Sequence, residues 1–318
     1  MSPERTVRDN EDRRPDRQAR RDRPLALLGS IVKASRPVSW INTAFPFAAA
    51  YALVVRDVDA VLIVGTLFFL VPYNLLMYGI NDVFDYESDL ANPRKGGIEG
   101  DVIRDREHAR RVHRAILWAC VVTVTPPLAW LLVQGSAGAA VTLALVVFGV
   151  IAYSAPGLRF KERPFLDSLT SALHFAGPLI YALVVAGAPL TARVAWPVWT
   201  AFILWGMASH AFGAVQDVRA DREGGIGSVA TVIGARATVW FAIGLYGASS
   251  LVLLAQPWPG TLAAVLPLPY LISVARFARI TDETCEDANR GWRTFLWLNQ
   301  PVGFAVTMLL IAIASGWL

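Results

Sequence analysis

Acidic side chains recur at helical spacing where a long apolar run ends. The chain reads Asn81-Asp82-Val-Phe-Asp85-Tyr-Glu-Ser-Asp89 directly after such a run. On a helix, this spacing places Asp82, Asp85 and Asp89 on one face. Like charges on one face repel each other, so the arrangement is costly unless cations lie there. Carboxylate and amide oxygens are the ligands that Mg²⁺ prefers. The segment from Asn81 to Asp89 therefore predicts a magnesium site.

A second acidic stripe follows a later apolar run. Asp217 and Asp221 are four residues apart, and His210 lies seven residues before Asp217. We expect both acids to face one way at the end of a helix. Two such helix ends can face each other across a cavity and hold two Mg²⁺ ions bridged by a diphosphate. The predicted metal ligands are Asn81, Asp82, Asp85, Asp89, Asp217 and Asp221. The predicted catalytic residues are Asp82, Asp85, Asp217, Asp221, Tyr78 and His210.

Basic residues lie beside the acidic stripes. Arg94 and Lys95 follow the first stripe, and Arg159 and Lys161 lie in the next basic loop. Arginine and lysine bind phosphate oxygens through charge-assisted hydrogen bonds, so these four residues are the predicted diphosphate ligands. A single acid at a membrane edge is most often a helix cap or a helix–helix hydrogen bond. Two stripes with basic residues beside them favour a functional site.

The elements that carry these residues are predicted to be membrane helices. Hydrophobic residues make up 55% of the 318 residues and charged residues 17%, whereas a soluble domain carries about 25% charged residues. The apolar runs are continuous rather than alternating, which argues against a β-barrel. A transmembrane helix needs about 20 residues. The sequence therefore predicts an all-α, polytopic membrane bundle of about nine transmembrane helices, at residues 38–55, 60–80, 113–133, 138–156, 165–187, 196–216, 235–256, 260–278 and 294–316.

The basic residues alternate between the two sides of this predicted bundle. All 29 Lys and Arg except Arg56 and Arg193 fall before the first span, in the loops after spans two, four, six and eight, or at the span ends that border these loops. Basic loops remain in the cytoplasm. We therefore expect a cytoplasmic N-terminus, an outside C-terminus and an active site on the cytoplasmic side of the plasma membrane.

Residues 1–32 differ in composition from the rest of the chain. We predict a disordered basic tail at 1–32 and a transmembrane domain at 33–318, because the Arg-, Asp- and Pro-rich tail has too few apolar groups to bury. No apolar region with a small-residue cleavage site follows, so we do not expect the tail to be a signal peptide. A solvated tail that orients the first span is the simpler interpretation, and binding to anionic lipid headgroups is the alternative.

The two acidic motifs resemble those of a known superfamily. Asn81-Asp82-x-x-Asp85-x-x-x-Asp89 and Asp217-x-x-x-Asp221 are similar to the Asp-rich motifs of the UbiA superfamily of intramembrane prenyltransferases, and the resemblance extends from about residue 33 to 318. Longer strings resemble the lycopene elongases of C50 carotenoid synthesis. Among them are Arg36-Pro-Val-Ser-Trp and Tyr153-Ser-Ala-Pro-Gly-Leu-Arg-Phe-Lys161. One departure is Asn92-Pro-Arg-Lys-Gly-Gly, where many UbiA members carry an Arg-Thr pair.

The resemblance implies a reaction and its partners. UbiA members transfer a prenyl group from an allylic diphosphate, with Mg²⁺ as the implied cofactor. The likeness to elongases implies dimethylallyl diphosphate as donor and lycopene, entering from the bilayer, as acceptor. Two additions would give C45 and then C50 carotenoids. Membrane lipid and carotenoid cyclase subunits are the other expected partners, and no nucleic acid is expected.

An allylic cation needs a dry pocket with aromatic faces, because water would quench it. Tyr78, Tyr153 and Trp205 lie near the motif ends and are the predicted pocket residues. Once lycopene has attacked, the resulting tertiary cation loses a proton or captures water, and both outcomes remain open. His174 and His210 are the two histidines inside the predicted spans and are the candidates to accept the proton.

Three other functions share some of these features. A UbiA-type enzyme acting on an aromatic or quinone precursor would have the same metal motifs and differ only in its acceptor. A membrane transporter would not need two acidic helix ends flanked by basic residues. A non-enzymatic partner subunit would have no reason to keep both stripes. Prenyl transfer is therefore the favoured prediction.

Overall fold

The regular secondary structure of the described residues is entirely helical. The computed structural model describes residues 25–91 and 105–317. Short 3₁₀ helices at Pro37–Ser39, Phe160–Glu162, Gly260–Val265 and Cys285–Asp287 join longer elements. The α-helices are α1 (residues 25–34), α2 (Trp40–Val55), α3 (Ala60–Leu70), α4 (Pro72–Phe84), α5 (Tyr86–Ala91), α6 (Arg106–Leu132), α7 (Ala137–Ser154), α8 (Leu166–Val185), α9 (Trp196–Val215), α10 (Val218–Glu223), α11 (Val229–Ile233), α12 (Ala235–Leu253), α13 (Leu268–Ala275) and α14 (Ala288–Ala314).

Eight stretches of the described chain are long and apolar enough to cross a membrane. They coincide with eight of the nine predicted spans, so the predicted all-α polytopic bundle is confirmed and the chain is a multi-pass membrane protein. The remaining predicted span, 260–278, is a shorter apolar segment, Gly260–Ala275. There a 3₁₀ helix ends before Pro267, and α13 begins after it. Proline lacks the N–H that would continue a helix, which explains the break.

The second predicted span is two helices in succession. Asp59 caps the start of α3 by accepting the Leu62 N–H at 2.9 Å. The chain bends at Val71, and Pro72 then occupies the first turn of α4. Proline suits this position because the N–H it lacks would have no partner inside the helix. As a result α4, which carries the first acidic motif, has its own direction.

Helix α8 lies in the middle of the bundle and packs against α2, α7 and α9. The contact with α9 is very close at Gly206, where an added Cβ would lie 2.9 Å from the Cβ of Ala172. Small residues allow membrane helices to approach in this way. A buried hydrogen bond from the Tyr73 hydroxyl to the His174 carbonyl, 3.0 Å long, ties α4 to α8. Helices from both halves of the chain are thus held around α8.

The predicted boundary of the tail moves toward the N-terminus. Residues 1–24 lie outside the described residues, whereas residues 25–34 form α1. The apolar residues Leu25, Leu27 and Leu28 begin this helix. Residues 25–32 are therefore helical rather than disordered as predicted, and Leu27 and Ile31 of this helix pack against the core.

Candidate active site

The first acidic motif lies at a helix junction rather than along one helix. Helix α4 ends at Phe84, Asp85 follows with φ −96° and ψ 0°, and α5 begins at Tyr86. The prediction that Asp82, Asp85 and Asp89 share one continuous helix is therefore wrong. The helix dipole disfavours acids in the last turn of a helix, and Asp is a weak helix former, which accounts for the break. The side chain of Asp89 lies outside the described residues.

Three cations lie against this motif. The Arg36 guanidinium donates to Oδ1 of Asp82 at 2.8 Å. The Lys161 ammonium forms a short ion pair with Asp85, and the Arg159 guanidinium is 3.6 Å from the same carboxylate. Arg159 and Lys161 were predicted from the sequence to act together, and the structure brings them to the acids. Arg36 is not among the diphosphate ligands that the sequence predicts.

Two of these cations extend from an unusual backbone. Arg36 has φ 50° and ψ 71°, and Arg159 has φ 40° and ψ 54°. Left-handed conformations of residues other than glycine cost about 1–3 kcal/mol and cluster at functional sites. At Arg36 the following Pro37 disfavours the right-handed helical region. The surrounding structure therefore enforces the placement of both guanidinium groups.

The loop after α7 is electrostatically coupled to Asp85. Burial lowers the pKa of Lys161, and the charge of Asp85 partly offsets this. The hydrogen bond from Arg159 lowers the pKa of Glu162 and raises that of Arg159. Glu162 was not predicted as a site residue. It orients Arg159, so this loop presents its cations in a fixed arrangement.

The second acidic motif also follows a helix break. Helix α9 ends at Val215, Gln216 and Asp217 form a turn, and α10 begins at Val218. The prediction of one continuous stripe from His210 to Asp221 is therefore wrong. Asp217 and Asp221 still share a helical turn, because the Asp221 N–H donates to the Asp217 carbonyl at 2.8 Å.

Gln216 anchors this turn to the last helix. Its Oε1 accepts from the Asn289 amide at 2.6 Å, and its Nε2 donates to the Gly213 carbonyl at 3.0 Å. Only 8% of Gln216 is exposed. These bonds satisfy a buried amide and hold the turn between α9 and α10, and the new helix starts after Asp217.

The end of α7 reaches toward both motifs. The Ser154 hydroxyl donates to Oδ1 of Asn81 at 2.8 Å, and Lys161 Nζ is 3.3 Å from the same oxygen. The adjacent Tyr153 hydroxyl lies 3.1 Å from Nε2 of His210, on the helix that precedes the second motif. Ser154 was not singled out in the sequence, since a serine at a helix end is common.

Two of the three predicted pocket aromatics lie beside these polar groups. The Arg36 guanidinium stands 5.5 Å from the ring centroid of Tyr78, in a cation–π contact. Tyr153 contacts His210 as described. Trp205 instead belongs to an aromatic cluster with Phe202, Tyr270 and Phe295 on α9, α13 and α14.

The donor set fits magnesium. In the described part of the chain, no three His, Cys, Asp or Glu residues group into a metal site. The acids occur as two separated pairs, Asp82 with Asp85 and Asp217 with Asp221. Mg²⁺ is usually bound through one or two carboxylates plus substrate phosphates rather than by an all-protein cage. Oxygen ligands in pairs, with cations for phosphate beside them, match that preference. Arg94 and Lys95 lie outside the described residues.

The helical bundle and its two acidic motifs define a class of membrane enzyme. The sequence model of the UbiA prenyltransferase family matches residues 43–300. The chain belongs to this family and is a prenyltransferase, as the motifs predicted.

Two curated relatives of this chain are named for carotenoid synthesis. A protein of Dietzia sp. (strain CQ4), named C(50) beta-cyclic carotenoids biosynthesis protein LbtBC, is 54% identical over 310 residues, covering 97% of this chain and 69% of that protein. The lycopene elongase/hydratase of Corynebacterium glutamicum is 48% identical over 283 residues, covering 89% of this chain and 96% of that protein. The predicted similarity to lycopene elongases is confirmed.

Solved structures share the fold. The UbiA homolog from Archaeoglobus fulgidus bound to DMAPP and Mg²⁺ has a TM-score of 0.63 at 16% identity, covering 86% of this chain and 98% of that one. The apo UbiA homolog from Aeropyrum pernix K1 has a TM-score of 0.61 at 18% identity, covering 83% and 96%. At these identities the likeness concerns the fold alone.

Proposed function

We propose that this enzyme transfers prenyl groups from dimethylallyl diphosphate to the ends of lycopene in a Mg²⁺-dependent reaction, giving C45 and then C50 carotenoids. The observation that carries the proposal is the pairing of acids and cations at the end of α4. Asp82 contacts Arg36, and Asp85 contacts both Lys161 and Arg159. A diphosphate is bound through Mg²⁺, which acids hold, and through direct contacts with basic side chains. Its site therefore needs both acidic and basic residues.

Each group has a separate task in this proposal. Asp82, Asp85, Asp217 and Asp221 hold Mg²⁺ with Asn81, and Asp89 adds a further oxygen ligand. Mg²⁺, when bound, stabilises the charge that develops on the departing diphosphate. Lys161 and Arg159 bind the phosphate oxygens, as do Arg94 and Lys95. The aromatic faces of Tyr78 and Tyr153 stabilise the allylic cation.

The acceptor is proposed from the relatives and from the charges. Proteins named lycopene elongase/hydratase match most of this chain. The cations at the site, Arg36, Arg159 and Lys161, each contact an acid. Among the described residues of the site, little positive charge remains to orient the carboxylate of an aromatic acid. A hydrocarbon held by apolar surface and entering from the lipid is the more economical acceptor.

The alternation of basic loops supports a plasma-membrane protein with a cytoplasmic site. Carotenoid cyclase subunits are proposed partners. The Dietzia relative, whose name refers to β-cyclic C50 carotenoids, extends beyond the region that matches this chain, which covers 69% of it. A cyclisation step would consume the elongated product, so contact between the two activities is reasonable.

Expression in a lycopene-accumulating bacterium tests the proposal. We expect C45 and C50 pigments by mass analysis, and none from Asp85→Asn. The matched control is Asp57→Asn, which changes an exposed acid in the loop between α2 and α3. In parallel, membranes receive labelled dimethylallyl diphosphate with lycopene, 4-hydroxybenzoate or dihydroxynaphthoate. Label in an aromatic acid and none in carotenoid would replace the acceptor and leave the family intact.

A further inference from the structure

Four polar side chains form a continuous row across α7, α8 and α9. The Tyr153 hydroxyl is 3.1 Å from Nε2 of His210. Nδ1 of His210 is 3.4 Å from Oγ of Ser168. The Ser168 hydroxyl in turn donates to Oδ1 of Asp167 at 3.4 Å. The row therefore connects a phenol to a carboxylate through an imidazole and a hydroxyl.

The acidic end of the row is closed. Asp167 and Ser168 are both 0% exposed. The other oxygen of Asp167 accepts the N–H of Val229, the first residue of α11, at 2.9 Å. Tyr153 and His210, in contrast, are only half-buried. A small molecule thus meets the row at its Tyr153–His210 end.

One arrangement of protons satisfies every member, and we assign the histidine tautomer from it. The Tyr153 O–H donates to Nε2, Nδ1–H donates to Ser168, and the Ser168 O–H donates to Asp167. Nε2 is then the basic nitrogen. If it gains a proton, the carboxylate at the far end stabilises the imidazolium. This order gives the row a direction, from Tyr153 toward Asp167.

The open end of the row adjoins the first acidic motif. Tyr153 directly precedes Ser154, whose hydroxyl donates to Asn81 at 2.8 Å. The other candidate histidine, His174, packs edge-on against Tyr153 at 4.8 Å between centroids. Its Nε2 points to the Gly149 carbonyl at 3.5 Å. The geometry therefore favours His210 over His174 as the proton acceptor.

We propose that Tyr153 and His210 activate a water molecule that captures the tertiary carotenoid cation, with Ser168 and Asp167 as positioning residues. This inference rests on the proposed function. Relatives of this chain are named lycopene elongase/hydratase, so hydration itself is expected, and what the inference adds is the set of residues that perform it, in a site that the two acidic motifs do not include.

Water capture follows the transfer of the prenyl group. The terminal alkene of the acceptor forms a C–C bond to the allylic carbon, and the C–O bond to diphosphate breaks with its electron pair on the leaving group. Water from the solvent then forms a C–O bond to the tertiary cation. Its surplus proton passes to the Tyr153 oxygen as the Tyr153 proton moves to Nε2 of His210. Without the row, the cation loses a neighbouring C–H proton to diphosphate and becomes an alkene.

The test measures the hydroxylated fraction of the C45 and C50 pigments made in lycopene-accumulating cells. General bases contribute roughly 100-fold or more, so we expect His210→Gln and Tyr153→Phe to lower the fraction about 100-fold. Asp167→Asn keeps the shape and the bond to Val229 but removes the charge, and we expect a loss of about tenfold. The matched control is Asp59→Asn. Asp59 also accepts a helix N–H and a hydroxyl, at 2.9 and 2.7 Å, but at the opposite end of the bundle. We expect its fraction to equal that of the unchanged enzyme.

Each outcome of this test either supports or overturns the proposed water capture. A normal hydroxylated fraction in Asp167→Asn, or an equal loss in Asp59→Asn, overturns the proposal. So does the absence of all pigment from Asp167→Asn when membranes contain the protein at normal levels. If the unchanged enzyme makes only alkene products, water capture is wrong while prenyl transfer stands. If it makes no prenylated carotenoid, the proposed function itself fails.

Discussion

Replacing Gly206 with alanine tests the close contact between α8 and α9. An added Cβ would lie 2.9 Å from the Cβ of Ala172 and 3.0 Å from its Cα. Carbon atoms prefer separations of about 3.5–4.0 Å, so the helices would need to separate by about 0.5–1 Å. Because Cα belongs to the backbone, no side-chain rotation relieves the overlap. We expect the variant to lose about 1–3 kcal/mol of unfolding free energy.

The same displacement should change the product. Ser168 lies one turn before Ala172 on α8, and His210 lies one turn after Gly206 on α9. Their contact is 3.4 Å long, and a separation above about 3.5 Å no longer forms a hydrogen bond. We therefore expect Gly206→Ala to lower the hydroxylated fraction of the pigments as well as the stability.

The assay is unfolding in detergent micelles, followed by tryptophan fluorescence, with Gly244→Ala as the matched control. Gly244 lies inside α12, and an added Cβ there would meet nothing within 4 Å. Alanine in a helix interior is favoured over glycine by about 0.5–1 kcal/mol. Gly244→Ala should therefore unfold at or above the midpoint of the unchanged protein, and Gly206→Ala well below it. Equal midpoints for the two variants would refute the close packing of α8 on α9.

Three other changes have defined expectations. Asp217→Asn should reduce prenyl transfer about 100-fold or more without lowering protein levels, since it weakens metal-held charge stabilisation worth several kcal/mol; near-normal turnover in Mg²⁺ would contradict this. Deleting residues 1–24 should leave turnover in membranes unchanged, because a tail of that composition cannot build a packed site; lost turnover in correctly inserted protein would show otherwise. The Ala235 N–H and then the Arg222 guanidinium lower the pKa of Asp282. Its stabilising effect is therefore present above the unfolded pKa of about 3.9 and is lost as the pH falls through the lower folded value. Asp282→Asn should unfold more easily than the unchanged protein at pH 7, and the gap between their midpoints should close below pH about 4; a gap that persists in acid would reject this.

Apolar run length was enough to find the membrane helices, because each run must satisfy its own backbone hydrogen bonds in lipid. It could not show where those helices break. The bend at Val71 and the turn at Gln216 lie within or next to apolar runs. The first has a local signal in Pro72. The second depends on a hydrogen bond from Asn289, 73 residues later in the chain, so no local pattern could reveal it.

The acidic motifs were predictable because like charges at helical spacing are costly without cations. Their partners were only partly predictable. Arg36 reaches Asp82 across 46 residues and from a left-handed backbone, and neither fact can be read from composition. Asp167 and Ser168 look like ordinary first-turn residues of α8. Only the packing of α8 against α9 places them beside His210.

The end of α7 explains how a bundle assembled from two halves can concentrate its chemistry at one place. Successive residues of a helix point about 100° apart, so Tyr153 and Ser154 face different neighbours. Tyr153 reaches His210 on α9, and Ser154 reaches Asn81 on α4. The loop that follows then returns Lys161 to Asp85. A short segment, residues 153–161, therefore contacts the first acidic motif through Ser154, Arg159 and Lys161. It contacts the helix of the second motif through Tyr153. A shift of this segment would therefore change diphosphate binding and proton transfer together, whereas a shift of α14 would act on the second motif through Gln216.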